Sequence, residues 1–428
     1  MDRLIYVSEQ HRSKILDVKT HLRLNLNESE YPLRFKQRND TEFCYRLFSH
    51  EDQLKIDTNY YIGVDWVIND KVSIYIEPKL NDGKEVNFLS MLIKSLEAPE
   101  NFEHLDDLFD IDYEGKWIPI PQNKDLLSPI LIVQFLKLVQ HIVKKGLKKS
   151  YYTVSDNLNS KIKGKVLVGR QIKENVVKNR LTKTVCQFQE FGYNFEENQF
   201  LKTVIGFVKS YIYQSRTYFS DDQKANLIEI LNFCEPAFRS IDEVKNKHLD
   251  VRVKRNVFYQ DYYEAIRIGK LILKRFSYNI TKASEKPTST PPFWLDMSKL
   301  FELYVFGKLK KIFPEPNAVT YHDHFKGGKE TDILIRKENY QAVVDCKYKP
   351  QYKDNDPSLE DKRQLAGYTR LKSVYNKLNK EPNEVIKGLI IYSNQSSNTT
   401  FVKDDLFTKN IDEYVDFYKL GIGLPEIL

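Results

Sequence analysis

The chain has 428 residues, with 66 Lys+Arg against 59 Asp+Glu for a formal net charge of +7, and is 41% hydrophobic and 29% charged. At about 150 residues per domain this gives two or three domains, each able to hold a core, and excludes a wholly disordered chain. No 18-residue apolar run occurs, the start lacks the apolar stretch of a signal peptide, and the four cysteines form no CxxC pair. No membrane span, secretion, zinc ribbon or disulfide framework is therefore expected, and a reducing cytoplasm is the simplest setting.

Residues 1–115 read as a β-rich domain. The segment 60–67 is aromatic and β-branched, Asn69-Asp70 is a turn signal, and 72–77 alternates apolar with polar, which predicts a hairpin. A short helix is expected over 85–100 and an acidic connector over 101–115. Residues 116–290 read as a mainly helical, basic middle region. Apolar residues recur at helical spacing over 126–147, 196–213, 223–233 and 259–276, interrupted by a strand-like insert around 165–168. The Pro-, Ser- and Thr-rich stretch 281–292 predicts a linker. Residues 291–428 follow a helix–strand–strand–helix–strand order over 297–312, 331–336, 341–348, 359–379 and 385–392, which implies a mixed sheet flanked by helices. The fold class expected is α+β and multidomain.

The charge is unevenly spread. Between residues 144 and 183 twelve Lys or Arg stand against two acids, Asp156 and Glu174. Within this stretch Lys161, Lys163, Lys165, Arg170, Lys173, Lys178 and Arg180 suit a DNA backbone through charge and counterion release, or a protein partner; a solvated lysine-rich face is the plainer alternative.

The chemistry concentrates near the carboxy terminus. Asp332 lies in one expected strand and Asp345 in the next, so a turn between them brings two carboxylates to one point. With the backbone carbonyl of Cys346 they form a hard oxygen set suited to Mg²⁺, which keeps several waters and works on phosphate substrates. Lys347, two residues after Asp345, leaves the same face of its strand and places an ammonium beside a scissile phosphate. Other acid-x-Lys triplets (Asp17-Val-Lys19, Glu114-Gly-Lys116, Glu243-Val-Lys245) lack the apolar strand and the second acid. Gln364 and Tyr368 share a helix face that can point at the same site. Glu302, between the apolar Leu300, Phe301 and Tyr304, can reach the metal shell. Ordinary salt bridges and amphipathic packing are the competing account of each. His322 and His324 lack a third ligand for zinc, Cys346 is expected to be a buried filler, and Trp66 and Trp294 are expected core anchors.

Thr331-Asp332, Asp345-x-Lys347 and Gln364-x-x-x-Tyr368 together resemble the PD-(D/E)xK nucleases of the RecB-like branch, with Thr331 in the place of the usual proline. Asp296 to Glu302, Asp345 to Lys349, Lys163-Gly-Lys-Val166, the stretch from Cys186 to Asn198, Tyr61-Ile-Gly-Val64 and Glu77-Pro-Lys79 are similar to the McrC family, including McrC-like subunits of LlaJI-type restriction systems. That resemblance implies a carboxy-terminal α/β PD-(D/E)xK nuclease domain and a Mg²⁺-dependent endonuclease subunit restricting foreign DNA. It also implies an AAA+ GTPase partner of McrB type. The chain carries no GxxxxGK[ST] loop of its own, so nucleotide-driven motion has to come from another chain. A stand-alone nuclease of the same fold and a non-catalytic activator of a ring NTPase are the two alternatives.

Overall fold

The computed structural model describes residues 3–9, 14–15, 43–50, 53–78, 80–81, 84–98, 100–101, 104, 108–112, 114–121, 125–214, 219, 221–244, 251, 259–280, 288–325, 329–349, 352 and 355–426. The chain forms two units. One joins residues 1–127 to 287–428, and the other comprises 128–286. The segments 1–115 and 291–428, expected as separate domains, thus fall in one unit.

The amino-terminal sheet contains β1 (Arg3–Ser8), β2 (Tyr61–Ile68) and β3 (Val72–Glu77). The expected hairpin β2–β3 forms, with Asp70 at φ +61° in its turn. A short helix, α1 (Phe88–Ser95), follows, capped by the Asn87 side chain accepting from the Ser90 amide. The acidic connector contains a strand, β4 (Phe109–Ile111), which the sequence reading passed over.

The second unit opens on α2 (Leu127–Lys145). This helix is long and apolar enough to cross a membrane by composition, but 78% of its apolar window is buried inside the protein. Ile130, Leu131, Ile132, Val133, Phe135 and Leu136 are all at most 1% exposed. Consecutive buried positions mean that the helix is surrounded, as in a core helix. The unit is mainly helical, but the strand-like insert expected around 165–168 belongs to a larger sheet. Residues 150–192 form a three-stranded antiparallel sheet of β5 (Ser150–Asn159), the short β6 (Lys165–Val166) and β7 (Lys183–Gly192). Alternation in Tyr-Tyr-Thr-Val and Val-Cys-Gln-Phe-Gln carried this signal, but the flanking lysines masked it. The insert near Lys165 is strand for two residues only. Val168–Gln171 turns helical and runs into a π turn, Ile172–Val176. The helices α3 (Glu196–Gln214), α4 (Asp221–Cys234) and α5 (Gln260–Ile280) then fall where the apolar periodicity placed them.

Of the expected linker, residues 281–287 lie outside the described residues, and Thr288–Thr290 pairs as a strand with Ile118–Ile120. The chain next enters the amino-terminal sheet as β8 (Phe293–Asp296), between β2 and β4. Gly63 makes room for it: a Cβ there would lie 2.0 Å from the Phe293 carbonyl oxygen. Trp294 is fully buried in this sheet as a core anchor, whereas Trp66 is partly exposed and donates to the Lys116 carbonyl at 2.9 Å.

Asp296 ends β8 and caps α6 (Met297–Ile312), its carboxylate accepting from the Lys299 amide at 3.0 Å. Then come β9 (Val319–Phe325), β10 (Lys329–Ile335), β11 (Ala342–Lys347), α7 (Leu359–Tyr368), α8 (Lys372–Leu378), β12 (Lys387–Ser393) and β13 (Phe417–Ile422). The five strands form one mixed sheet in sequence order, antiparallel from β9 to β11 and parallel from β11 to β13. The expected helix over 359–379 is two helices, broken at Leu371, whose backbone is extended. β13 was not anticipated. Leu365, Val374 and Leu378 pack with Val343, Ile390 and Phe417, fixing the helices on the sheet.

Candidate active site

The antiparallel ladder between β10 and β11 ends at the pair Ile333↔Val344. The next residues in register are Asp332 and Asp345, which therefore face each other across neighbouring strands, where opposed Cβ atoms sit about 4.5–5.5 Å apart. The strands part here because a side chain takes the next backbone donor: Asp332 Oδ2 accepts from the Cys346 amide at 2.7 Å. Asp345 is 1% exposed, and neither of its oxygens has a hydrogen-bond partner of good geometry. Lys347 supplies the nearby charge, its Nζ lying 3.0 Å from Asp345 Oδ2.

Lys347 also donates to Gln364 Oε1 at 2.8 Å, and Gln364 Nε2 donates to the Tyr368 hydroxyl at 3.0 Å. The Gln-x-x-x-Tyr face of α7 thus touches the strand lysine, as the spacing predicts. Gly388 lets this helix approach: a Cβ there would lie 2.9 Å from Leu365 Cδ2.

Glu302 is aimed from α6. Its Oε2 accepts from the Tyr321 hydroxyl at 3.0 Å and stands 3.0 Å from His322 Nε2. His322 Nδ1 lies 2.8 Å from Glu330. The imidazole stacks on Tyr321 at 3.9 Å, and His322 holds a left-handed backbone, φ +48°, in a ladder that skips its pairing with Asp332. A non-glycine residue in that region stores strain, which concentrates at functional positions. Among the described residues no three His, Cys, Asp or Glu side chains converge closely enough to hold a metal by themselves. His322 is a link between two glutamates, and the side chain of His324 lies outside the described residues.

The electrostatics are those of crowded acids. Burial, followed by the charges of Glu302 and Asp345, raises the Asp332 carboxyl well above the usual range. Burial pushes Asp345 up to about 6 against the pull of Lys347. Burial opposes the charge of Lys347, but Asp345 and Asp332 outweigh it and hold the ammonium above its ordinary range. The Cys346 thiol is buried and pushed far up by burial and then by Asp332, so it is a filler and not a nucleophile.

Sequence reasoning missed a second layer. Asp361 accepts from Lys349 at 2.8 Å, Tyr352 at 2.8 Å and Ser358 at 2.5 Å, and lies 3.9 Å from Lys347. The signal was available: Lys349 is two residues beyond Lys347, and Asp361 sits one turn before Gln364. Thr331, standing where the nuclease pattern has proline, is fully buried with its hydroxyl unpaired, so the fold makes no use of the exchange.

The seven basic residues singled out in the other unit, Lys161, Lys163, Lys165, Arg170, Lys173, Lys178 and Arg180, are all exposed. Lys163 pairs with Glu190 at 3.0 Å and Arg170 with Glu174 at 2.7 Å.

A family model described as McrBC 5-methylcytosine restriction system component matches residues 56–392. No curated protein matches the chain. Among solved structures, one similar chain comes from the refined half-complex of a tetradecameric assembly of Thermococcus gammatolerans McrB AAA+ hexamers with bound McrC. It is 18% identical with TM-score 0.37, the match covering 88% of this chain and 80% of that one. Another comes from the cryo-EM structure of the Thermococcus gammatolerans McrBC complex, 17% identical with TM-score 0.29, covering 74% and 89%. The family match spans well over half of the sequence and takes in every residue of the carboxylate–lysine site, so this chain belongs to the McrBC family of restriction-system components.

Proposed function

We propose that this chain is the DNA-cleaving subunit of its restriction system, a Mg²⁺-dependent endodeoxyribonuclease that works with an AAA+ GTPase partner. The observation that carries the reading is the pair Asp332 and Asp345, opposed across neighbouring strands, with a buried Asp345 carboxylate that has the Lys347 ammonium at 3.0 Å from Oδ2 and no donor at Oδ1. Two acids held together in a low-dielectric site favour a cation, and the unpartnered Asp345 Oδ1 fits a divalent ion. Asp332, Asp345 and the Cys346 carbonyl would hold Mg²⁺, with Glu302 at its edge and water completing the set. When bound, the ion supplies an acidified water and neutralises charge developing on the phosphate.

The order helix, three strands, two helices, strand from α6 to β12 supports reading this segment as a PD-(D/E)xK nuclease core. Lys347 is held protonated, so it is suited to donate to a phosphate oxygen or orient a water and not to act as a general base. Gln364 fixes the direction of that ammonium and is itself fixed by Tyr368. Asp361 balances the charge of Lys347 and Lys349 from behind.

The test is cleavage of methylated and unmethylated DNA by the purified chain with its AAA+ partner, Mg²⁺ and GTP or ATP. Asp345→Ala and Lys347→Ala are expected to lose cleavage while retaining the partner on gel filtration. Cleavage at the wild-type rate by either variant refutes the assignment.

A further inference from the structure

We propose that Lys349 is a second substrate-binding lysine, which holds the phosphate next to the scissile one on the cleaved strand. The proposal rests on the cleavage reading and adds to it the length of strand that the site grips. Lys349 follows the end of β11, where the chain turns. Its amide donates to the Lys347 carbonyl at 3.0 Å, and its own carbonyl accepts from the Ser393 hydroxyl at the end of β12. Ser393 is fully buried, so the turn is pinned to the sheet. The turn returns Lys349 to the neighbourhood of Lys347, and both ammonium groups reach one carboxylate. Lys349 Nζ donates to Asp361 Oδ1 at 2.9 Å and to Oδ2 at 2.8 Å, and Lys347 Nζ lies 3.9 Å from Oδ1. The two nitrogens are therefore within about 7 Å of each other.

Exposure and charge separate the two lysines. The Lys347 side chain is 15% exposed and lies against Asp345, whereas that of Lys349 is 33% exposed. Asp361 is buried and also accepts from the Tyr352 and Ser358 hydroxyls. Under the cleavage reading Asp345 is committed to the cation. One carboxylate, Asp361, then stands between two ammonium groups, and the pair presents net positive charge. An ammonium has three donors, so two on Asp361 leave Lys349 one for a ligand. Its Nζ also lies 5.7 Å from the centroid of the Tyr352 ring. A side chain held in this way has lost its rotamer freedom before a ligand arrives, which lowers the cost of binding.

A DNA strand offers charge at a fixed spacing. It carries one phosphate per about 3.4 Å of helix axis, and winding around that axis separates neighbouring phosphates by about 7 Å. Two ammonium groups at that separation match two neighbouring phosphates. With the scissile phosphate at Lys347, the more exposed Lys349 takes the next one. A lysine that only braced Asp361 would contact no phosphate, so the substrate itself distinguishes the two roles.

The experiment uses the full chain with its AAA+ partner, Mg²⁺ and GTP, on a duplex and on the same duplex with one phosphate replaced by a neutral methylphosphonate. Lys349→Gln should raise KM for DNA about tenfold with kcat retained, and Lys349→Arg should restore KM. In wild type the bond next to the methylphosphonate should be cut about tenfold less than in the unmodified duplex. In Lys349→Gln the two duplexes should be cut alike at that bond. Anisotropy of a labelled duplex with the chain alone, Ca²⁺ replacing Mg²⁺, should show the slope of log affinity against log salt reduced by about 0.9 in Lys349→Gln. Thermal melting reads whether the variant folds, and Lys349→Met, which keeps the stem beside Tyr352, takes its place if it does not. A fall in kcat at unchanged KM and salt slope, or a methylphosphonate penalty that survives in full in the variant, overturns the proposal and leaves Lys349 a brace for Asp361. A wild-type chain that cuts no DNA refutes the cleavage reading instead, and the salt slope then decides the phosphate contact by itself.

Discussion

Replacing Asp345 by Asn isolates the electrostatic cost of the candidate site. The carboxyl is 1% exposed, and burial, with Lys347 opposing, moves its pKa from 3.8 to about 6. A group whose folded pKa exceeds its unfolded value binds more protons when folded. Its contribution is fully favourable below pH ~4 and is lost as pH rises through about 6. At about 1.4 kcal/mol per pKa unit, ionised Asp345 costs the metal-free fold about 3 kcal/mol at neutral pH. Asn is neutral at every pH and keeps the shape. The variant is expected to match wild type near pH 4 and to exceed it by about 3 kcal/mol at pH 8. That gap is about 6 °C in melting temperature for a unit of this size. Thermal melts at both pH values, with and without Mg²⁺, read this directly. Mg²⁺ at about ten times its dissociation constant should return about 1.4 kcal/mol to wild type and nothing to the variant. A variant less stable than wild type at pH 8, or a difference independent of pH, would show that the carboxylate is not destabilised by burial and that the cation argument fails.

Two further substitutions probe how the site is held. His322→Asn keeps a residue type that tolerates the left-handed backbone but withdraws the imidazole from Glu302. A hydrogen bond to a charged group is worth about 1.5–3 kcal/mol, so cleavage should fall at least tenfold with DNA affinity unchanged, and an unaltered rate would remove His322 from the support of Glu302. Gly388→Ala drives a methyl to 2.9 Å from Leu365 Cδ2 and Phe417 Cε1. The overpacking should cost about 1–3 kcal/mol in denaturant unfolding and move α7 outward, so cleavage drops along with stability; full activity would show that the helix position does not govern the Gln364 contact.

How much of this was legible depended on the range of the interactions. Asp332, Asp345 and Lys347 could be placed because alternation and a short turn fix neighbouring strands, and α6 starts and ends where the sequence puts it because Asp296 is a local cap. The β5–β7 sheet was hidden because its strands are separated by a helical insert and carry lysines on solvated positions, so no window sees both partners. The clamp on Glu302 joins residues about 20 apart through a strained His322, and propensity gives no hint of left-handed backbone at a histidine. The join between the amino-terminal sheet and the carboxy-terminal segment was invisible for the same reason. Phe293-Trp-Leu-Asp296 reads as the start of a new domain after a Pro-rich stretch, yet its partners Tyr61–Ile68 and Phe109–Ile111 lie far upstream.

That join makes a prediction about the limits of the folding unit. A fragment of residues 291–428 contains all six residues of the proposed catalytic set but loses both strands that flank β8. Phe293, Trp294 and Leu295, each at most 1% exposed in the whole chain, would then face water. At about 1.5–3 kcal/mol per large apolar side chain, their exposure alone approaches the whole stability of a typical domain, about 5–15 kcal/mol. The fragment also loses the buried hydrogen bond from the Tyr348 hydroxyl to Glu9 at 2.8 Å, and the bond from Asn101 to the Leu303 carbonyl at 3.1 Å that ties α6 to the α1 region. It should therefore show no cooperative melt. Replacing residues 128–286 with a short flexible linker should preserve one, because Ile118–Ile120 and Thr288–Thr290 pair and bring the two crossing points of the chain together. A cooperative melt of the 291–428 fragment near the temperature of the full chain would mean that the amino-terminal sheet is dispensable for holding Glu302 over the two aspartates.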